Sequence, residues 1–125
     1  MIWFLVSMWV FGDQHQVPLL QNKAMDKLLA EIARTKTVFL DVVPELYAKT
    51  PAGSPLRKVF MEIIGWTVDL RDWRSFNGIA DWTVECLTDL MLAANEARFS
   101  KEVTFASQPK RDKCFFHVHA RDEHC

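Results

Sequence analysis

YAKTPAGSPLR, residues 47–57, ends one helix and begins another, and the rest of the chain is arranged on either side of it. Pro51 disfavours the helical conformation at Thr50, and Gly53 can adopt a positive φ at little steric cost. The Ser54–Pro55 pair suits a helix start, because the hydroxyl can accept a backbone N–H and the proline has no N–H to leave unpaired. This stretch therefore predicts a helix stop followed directly by a helix start.

Apolar residues recur at helical spacing on both sides of this break. The predicted helices are, in chain order, Ile2–Gln14, Pro18–Arg34, Asp41–Tyr47, Ser54–Ile64 and Ile79–Ala94. On the last of them, Cys86 is expected to be a small core residue. The apolar residues that mark this helix are Ile79, Trp82, Cys86, Leu87, Leu90, Met91 and Ala94. The pattern predicts an all-α fold, an irregular bundle of about five helices with a poorly ordered C-terminal tail.

Two finer predictions concern a helix end and a loop. Asp41 is expected to cap the short third helix, because a carboxylate suits the positive end of a helix. The polar segment Asp69–Gly78 is expected to be a loop or one irregular turn that Trp73 and Phe76 attach to the core.

Three acidic residues on the last predicted helix, Asp81, Glu85 and Asp89, are spaced four apart and so share one face. Such a row is typical of a solvated helix face. The alternative is a binding surface for a basic partner.

The composition limits the classes of function. The chain has 125 residues, half of them hydrophobic, and a formal net charge of −1. One domain is expected, with helices in residues 1–106 and a Cys/His-containing tail in residues 107–125. Because no basic stripe is present, binding to nucleic acid or to an anionic membrane is not expected.

The cysteine count and the opening segment indicate in which cellular compartment the protein is expected. Three cysteines, an odd number, give little support for a disulfide framework, so we expect an intracellular protein of the cytoplasm or nucleus. The opening run MIWFLVSMWVF lacks the basic start of a signal peptide and falls short of the roughly 20 apolar residues that span a bilayer. A chain that begins in its own core suggests the loss of an upstream part.

Catalytic motifs are absent from the sequence. It contains no Gly-rich phosphate loop, no nucleophile elbow and no paired histidines of a zinc-protease helix. We therefore expect a protein that is not an enzyme and needs no cofactor.

The tail offers one alternative to that expectation. Cys114, His117 and His119 are residue types that bind zinc, and Cys-x-x-His is a workable chelate spacing. Structural zinc sites usually have two separated ligand pairs, whereas only the tail supplies candidates here. A small zinc-binding protein therefore remains an alternative.

The first predicted helix is apolar nearly all round, so it must be covered on most sides. Either the other helices surround it or it presents an apolar patch to a protein partner or to a second copy of the chain. The residues expected to form that contact surface are Ile2, Trp3, Leu5, Val6, Trp9 and Val10.

Three segments, in this order, resemble fungal BTB/POZ-domain proteins that carry a helical extension after the BTB fold. They are VFGDQHQVPLLQNKAMDKL (residues 10–28), YAKTPAGSPLR (residues 47–57) and CFFHVH (residues 114–119). His15 and Phe116 stand where the family has tyrosine. The resemblance covers the last BTB helices and the extension, and it lacks the strands and helical pair that begin a BTB domain.

The resemblance implies a role in protein–protein interaction, in some family members as an adaptor to a cullin ubiquitin-ligase scaffold. Because the dimerising core is missing, neither dimerisation nor cullin docking can be transferred to particular residues here. A truncated fragment without independent function is the third alternative.

Overall fold

The computed structural model describes residues 2–36, 40–67, 78–97 and 116–118, and within these ranges it contains five α-helices and no strand. The predicted all-α bundle of about five helices is thus confirmed. The helices are α1 (Ile2–Gln14), α2 (Pro18–Thr35), α3 (Val42–Lys49), α4 (Pro55–Thr67) and α5 (Val84–Ala97), with one 3₁₀ turn at Ile79–Asp81.

A tight turn joins α1 to α2. Gln16 adopts a left-handed conformation with φ of 55°, and the Val17 amide donates to the Gly12 carbonyl over 2.8 Å. A Cβ atom on Gly12 would lie 2.8 Å from Cγ of Gln21. A residue without a side chain is therefore required where α2 starts against the end of α1.

The break between α3 and α4 has the predicted geometry. Thr50 is extended, with φ of −130° and ψ of 152°, and Gly53 has φ of 78°. The Ser54 hydroxyl accepts the Leu56 amide over 3.3 Å, at the start of α4. The restriction that Pro51 places on Thr50, the positive φ of Gly53 and the capping hydroxyl of Ser54 were each predicted from the type of residue.

One predicted cap and one predicted helix start differ from the structure. Asp41 stands at the N-cap position of α3, as predicted, but its side chain makes no capping hydrogen bond. The last helix begins at Val84 instead of Ile79, because the Thr83 hydroxyl accepts the Cys86 amide over 3.3 Å and so caps α5 there. The predicted loop residues Trp73 and Phe76 lie outside the described part of the chain.

The helices form two pairs, α1 with α2 and α4 with α5, and α3 lies between them in contact with α1, α4 and α5. The two helices of the second pair approach closely at Gly65, where a Cβ atom would lie 3.0 Å from both the backbone carbon and the Cβ of Ala93. One core runs through both pairs. Its largest fully buried side chains include Trp9, Met25, Leu28, Leu46, Leu56, Phe60, Ile63, Ile64 and Cys86.

Three residues of the predicted tail are described, and they lie against the helices. Phe116 is buried in the core cluster. The side chain of Asn22 on α2 accepts the Val118 amide over 2.7 Å and donates to the Val118 carbonyl over 2.8 Å. These two hydrogen bonds attach residues 116–118 to α2.

Candidate interaction surfaces

The apolar residues of α1 that were predicted to form a partner surface mostly face the protein's own core. That prediction is wrong for five of the six, because α2 and α3 pack against this side of α1. The exposed fractions are 5% for Ile2, 4% for Leu5, 3% for Val6, 1% for Trp9 and 6% for Val10, whereas Trp3 is 40% exposed.

The opposite side of α1 carries aromatic side chains in solvent. Phe4 is 62% exposed and Phe11 is 50% exposed, and together with Trp3 we call them the aromatic face of α1. Phe4 and Phe11 are seven residues apart, about two helical turns, and so point the same way. The ring of Phe11 also lies against His15, with centroids 4.2 Å apart.

A groove of about 310 Å³ lies between α1 and α3, and we call it the α1–α3 groove. Trp3 and Phe11 line it on the α1 side. Glu45, Leu46 and Lys49 line it from α3, with Glu45 and Lys49 paired over 3.0 Å. An exposed ion pair of this kind contributes little stability. The Glu45–Lys49 pair forms a polar rim of the groove, beside the aromatic rings of Trp3 and Phe11.

Polar groups of the central break converge on Arg57, which is buried on α4. The guanidinium donates to the Thr50 hydroxyl over 2.9 Å, to the Tyr47 carbonyl over 2.8 Å and to the Thr50 carbonyl. Its remaining terminal nitrogen lies 2.5 Å from a carboxylate oxygen of Glu85 on α5. Arg57 thereby connects the end of α3, the break and both helices of the second pair.

The ring of Tyr47 lies beneath that guanidinium, 4.2 Å from its central carbon. The Tyr47 hydroxyl donates to Asp89 over 2.6 Å. Burial raises the pKa of the Tyr47 phenol, and the hydrogen bond to Asp89 raises it further. These contacts join α3 to α4 and α5.

The predicted acidic face of α5 is therefore only partly solvated. Asp81 is exposed but lies in the 3₁₀ turn before α5, outside that helix. Glu85 is exposed and paired with Arg57. Asp89 is half-buried under its bond with Tyr47, so the prediction is wrong for this residue. Glu85 and Asp89 lie one turn apart on α5, and the hydroxyl of Tyr47 on α3 contacts Asp89 alone.

The candidate zinc ligands are only partly described. Nε2 of His117 lies 2.6 Å from a carboxylate oxygen of Asp26, while Cys114 and His119 fall outside the described residues. Within residues 2–36, 40–67, 78–97 and 116–118, no three His, Cys, Asp or Glu side chains are grouped so as to hold a metal ion.

Helix α5 has a second exposed apolar surface, which we call the α5 stripe. Leu87 and Met91 belong to the apolar spacing that predicts this helix, yet they are 38% and 63% exposed, because Cys86 and Leu90 already fill the buried side of α5. With them, the α5 stripe comprises Val84, at 80% exposed, and Leu92, at 60% exposed.

Sequence reasoning missed Phe4 and Phe11 as the accessible part of α1. The signal was present, since a helix that is apolar all round has more apolar surface than a few neighbouring helices can cover. Which part stays uncovered depends on where α2 and α3 lie. No helix of the described ranges is both long and apolar enough to cross a membrane.

Comparison of the chain with family models, with curated proteins and with solved structures finds no match. The resemblance to BTB/POZ proteins therefore rests on the three sequence segments alone.

Proposed function

We propose that this protein is a non-enzymatic protein–protein interaction module that binds a protein partner, or a second copy of itself, through the aromatic face of α1. The observation that carries the proposal is the exposure of Trp3, Phe4 and Phe11 on one helix of a bundle that otherwise has a well-filled core. Exposed apolar patches on folded domains commonly mark interaction sites.

Aromatic side chains suit such a site because each one removes a large apolar area from water when a partner covers it. Tryptophan in particular is over-represented among the residues that dominate binding energy at interfaces. The α1–α3 groove beside these rings offers room for an apolar side chain of the partner. The Glu45–Lys49 pair at its rim offers polar contacts that would orient that partner.

The resemblance to BTB/POZ proteins supports the same class of function. It implies interaction with proteins, and in some family members with a cullin scaffold. None of the residues of the aromatic face is assigned to a particular partner by the resemblance.

The proposal is tested with the double variant Phe4→Gln/Phe11→Gln, compared with Met91→Gln as a control on α5 that is similarly exposed. The wild-type protein should either associate as its concentration rises in sedimentation equilibrium or bind a hydrophobic dye. The double variant should lose the association, and the part of the dye binding that the aromatic face contributes, while its circular dichroism stays unchanged. The control should retain the association. A wild-type protein that stays monomeric at high concentration and binds no dye would contradict the proposal.

A further inference from the structure

A second groove, of about 330 Å³, lies between α4 and α5, and we call it the α4–α5 groove. Met61, Ala93, Leu92 and the buried Phe116 give it apolar walls. Leu92 also belongs to the α5 stripe, so the groove and the stripe form one continuous surface on a different side of the fold from α1. This surface does not depend on the function proposed for the aromatic face.

The charges around this surface are unbalanced. Helix α5 carries acidic residues and no lysine or arginine. Arg57 at the inner end of the groove is already paired with Glu85. Lys58 and Glu62, four residues apart on α4, both line the groove and offset each other.

Two carboxylates remain on the α5 side of the groove. Asp89 accepts the hydroxyl of Tyr47, which is a neutral donor and leaves the negative charge in place. Glu96 is exposed at the far end of the groove and makes no ion pair within the described part of the chain. The surface therefore combines an apolar stripe with one acidic edge.

We propose that this surface binds an amphipathic helix of a partner protein that carries lysine or arginine along one edge. The apolar side of that helix would pack along the α5 stripe and place one side chain in the α4–α5 groove. Its basic edge would lie against Glu96 and Asp89. The acidic edge disfavours a second copy of the chain in symmetric pairing, since the two α5 helices would then bring like charges together.

Two fluorescent peptides test this surface on the whole protein. Both have leucine at helical spacing along one face, one has arginine along the neighbouring edge, and the other has glutamate there. Fluorescence anisotropy should show that the arginine peptide binds about tenfold more tightly than the glutamate peptide, with affinity that falls as salt is added. Equal binding of the two peptides, or no binding of either, would overturn the proposal.

Three variants separate the contributions. The double variant Met91→Gln/Leu92→Gln should weaken binding of the arginine peptide by about tenfold or more, because both side chains are exposed apolar contacts. Glu96→Lys should weaken the arginine peptide and strengthen the glutamate peptide. The α1 variant Phe4→Gln/Phe11→Gln should leave both affinities unchanged.

These outcomes keep the two proposals distinct. If the α5 variants have no effect on peptide binding, the α5 surface is not the site, whatever the α1 variants show. Dimerisation of the wild-type protein that Met91→Gln/Leu92→Gln abolishes would assign the stripe to a second copy and would equally overturn this inference.

Discussion

At the scale of single residues, Arg57 explains why the stretch 47–57 has its composition. The guanidinium needs acceptors that are turned inward, and the extended conformation of Thr50 before Pro51 supplies both a hydroxyl and a carbonyl. Tyr47 supplies a carbonyl and a ring. A buried charge is tolerated only when it is paired and hydrogen-bonded, as this one is. The local turn chemistry and the buried cation thus depend on each other.

Replacement of Arg57 by methionine is expected to lower the free energy of unfolding by about 3–5 kcal/mol, because two carbonyls and a carboxylate lose their partner. Lysine at this position should restore only part of the loss, since it lacks the planar fork of donors. Urea unfolding followed by circular dichroism measures the free energy of unfolding of both variants. Lys58→Met is the matched control, and it should change stability by no more than about 0.5 kcal/mol. A similar small effect for Arg57→Met would show that the network is dispensable.

Tyr47 is the only tyrosine of the chain, so its titration can be followed directly. Its folded pKa is raised above the ordinary value of 10.0, which means that the folded state holds this proton more tightly than the unfolded state does. The corresponding stability is fully present below pH 10.0 and is lost as the pH rises through the higher folded pKa.

The phenolate absorbance is therefore expected to appear only together with the loss of helical circular dichroism at alkaline pH. Tyr47→Phe should be less stable at neutral pH by about 1–2 kcal/mol, because Asp89 loses a hydrogen bond. It should also lose less of its stability above pH 10.0 than the wild-type protein does. Phenolate formation in a protein that is still fully folded, near the ordinary pKa, would contradict the raised value.

At the scale of helices, α5 shows how far periodicity alone reaches. The apolar spacing located this helix and identified Cys86 as a core residue, and Cys86 is fully buried. Spacing did not distinguish the exposed Leu87 and Met91 from the buried residues of α5. The reason is that apolar residues extend over more of the circumference of α5 than α4 covers. The start of the helix was also set by a local feature, the Thr83 hydroxyl, that the apolar spacing does not record.

The contact between α4 and α5 gives a prediction for Gly65→Ala. Alanine favours a helix over glycine by about 1 kcal/mol, but the added methyl would press on the backbone of Ala93 and cost about 1–3 kcal/mol. The difference between these two contributions is a net loss of up to about 2 kcal/mol, which urea unfolding measures. Adding Ala93→Gly should recover part of that loss, since it removes the Cβ contact and leaves the backbone contact. A Gly65→Ala protein that is more stable than the wild type would show that the helices can separate at no cost.

At the scale of the whole molecule, distant parts of the chain are joined by side chains that no local pattern identifies. The two bonds between Asn22 and Val118 span 96 residues of sequence. Phe116 is buried among the helices beside this attachment. Residues 116–118 thereby connect α2 to the α4–α5 groove, which Phe116 also lines.

Asn22→Ala is expected to remove both hydrogen bonds and to lower the free energy of unfolding by about 1–2 kcal/mol. The more specific readout is amide exchange at Val118, which should be slow in the wild-type protein and fast in the variant, while the amides of α2 stay protected. Lys23→Ala, an exposed neighbour on α2, is the control and should leave Val118 protected. Equal protection of Val118 in all three proteins would show that Asn22 does not hold this segment.

The sequence by itself determined the all-α class, the order of the five helices and the geometry of the break at residues 47–57. These features depend on apolar spacing, on prolines and glycines and on capping hydroxyls, all of which act within a few residues along the chain. Only the tertiary structure decided that Ile2 and Trp9 are core, that Phe4 and Met91 face solvent and that Asp89 is half-buried. The physical reason is that a helix with apolar residues on most of its sides gains from burying any of them. Which side is buried is set by neighbours that lie far away in the sequence.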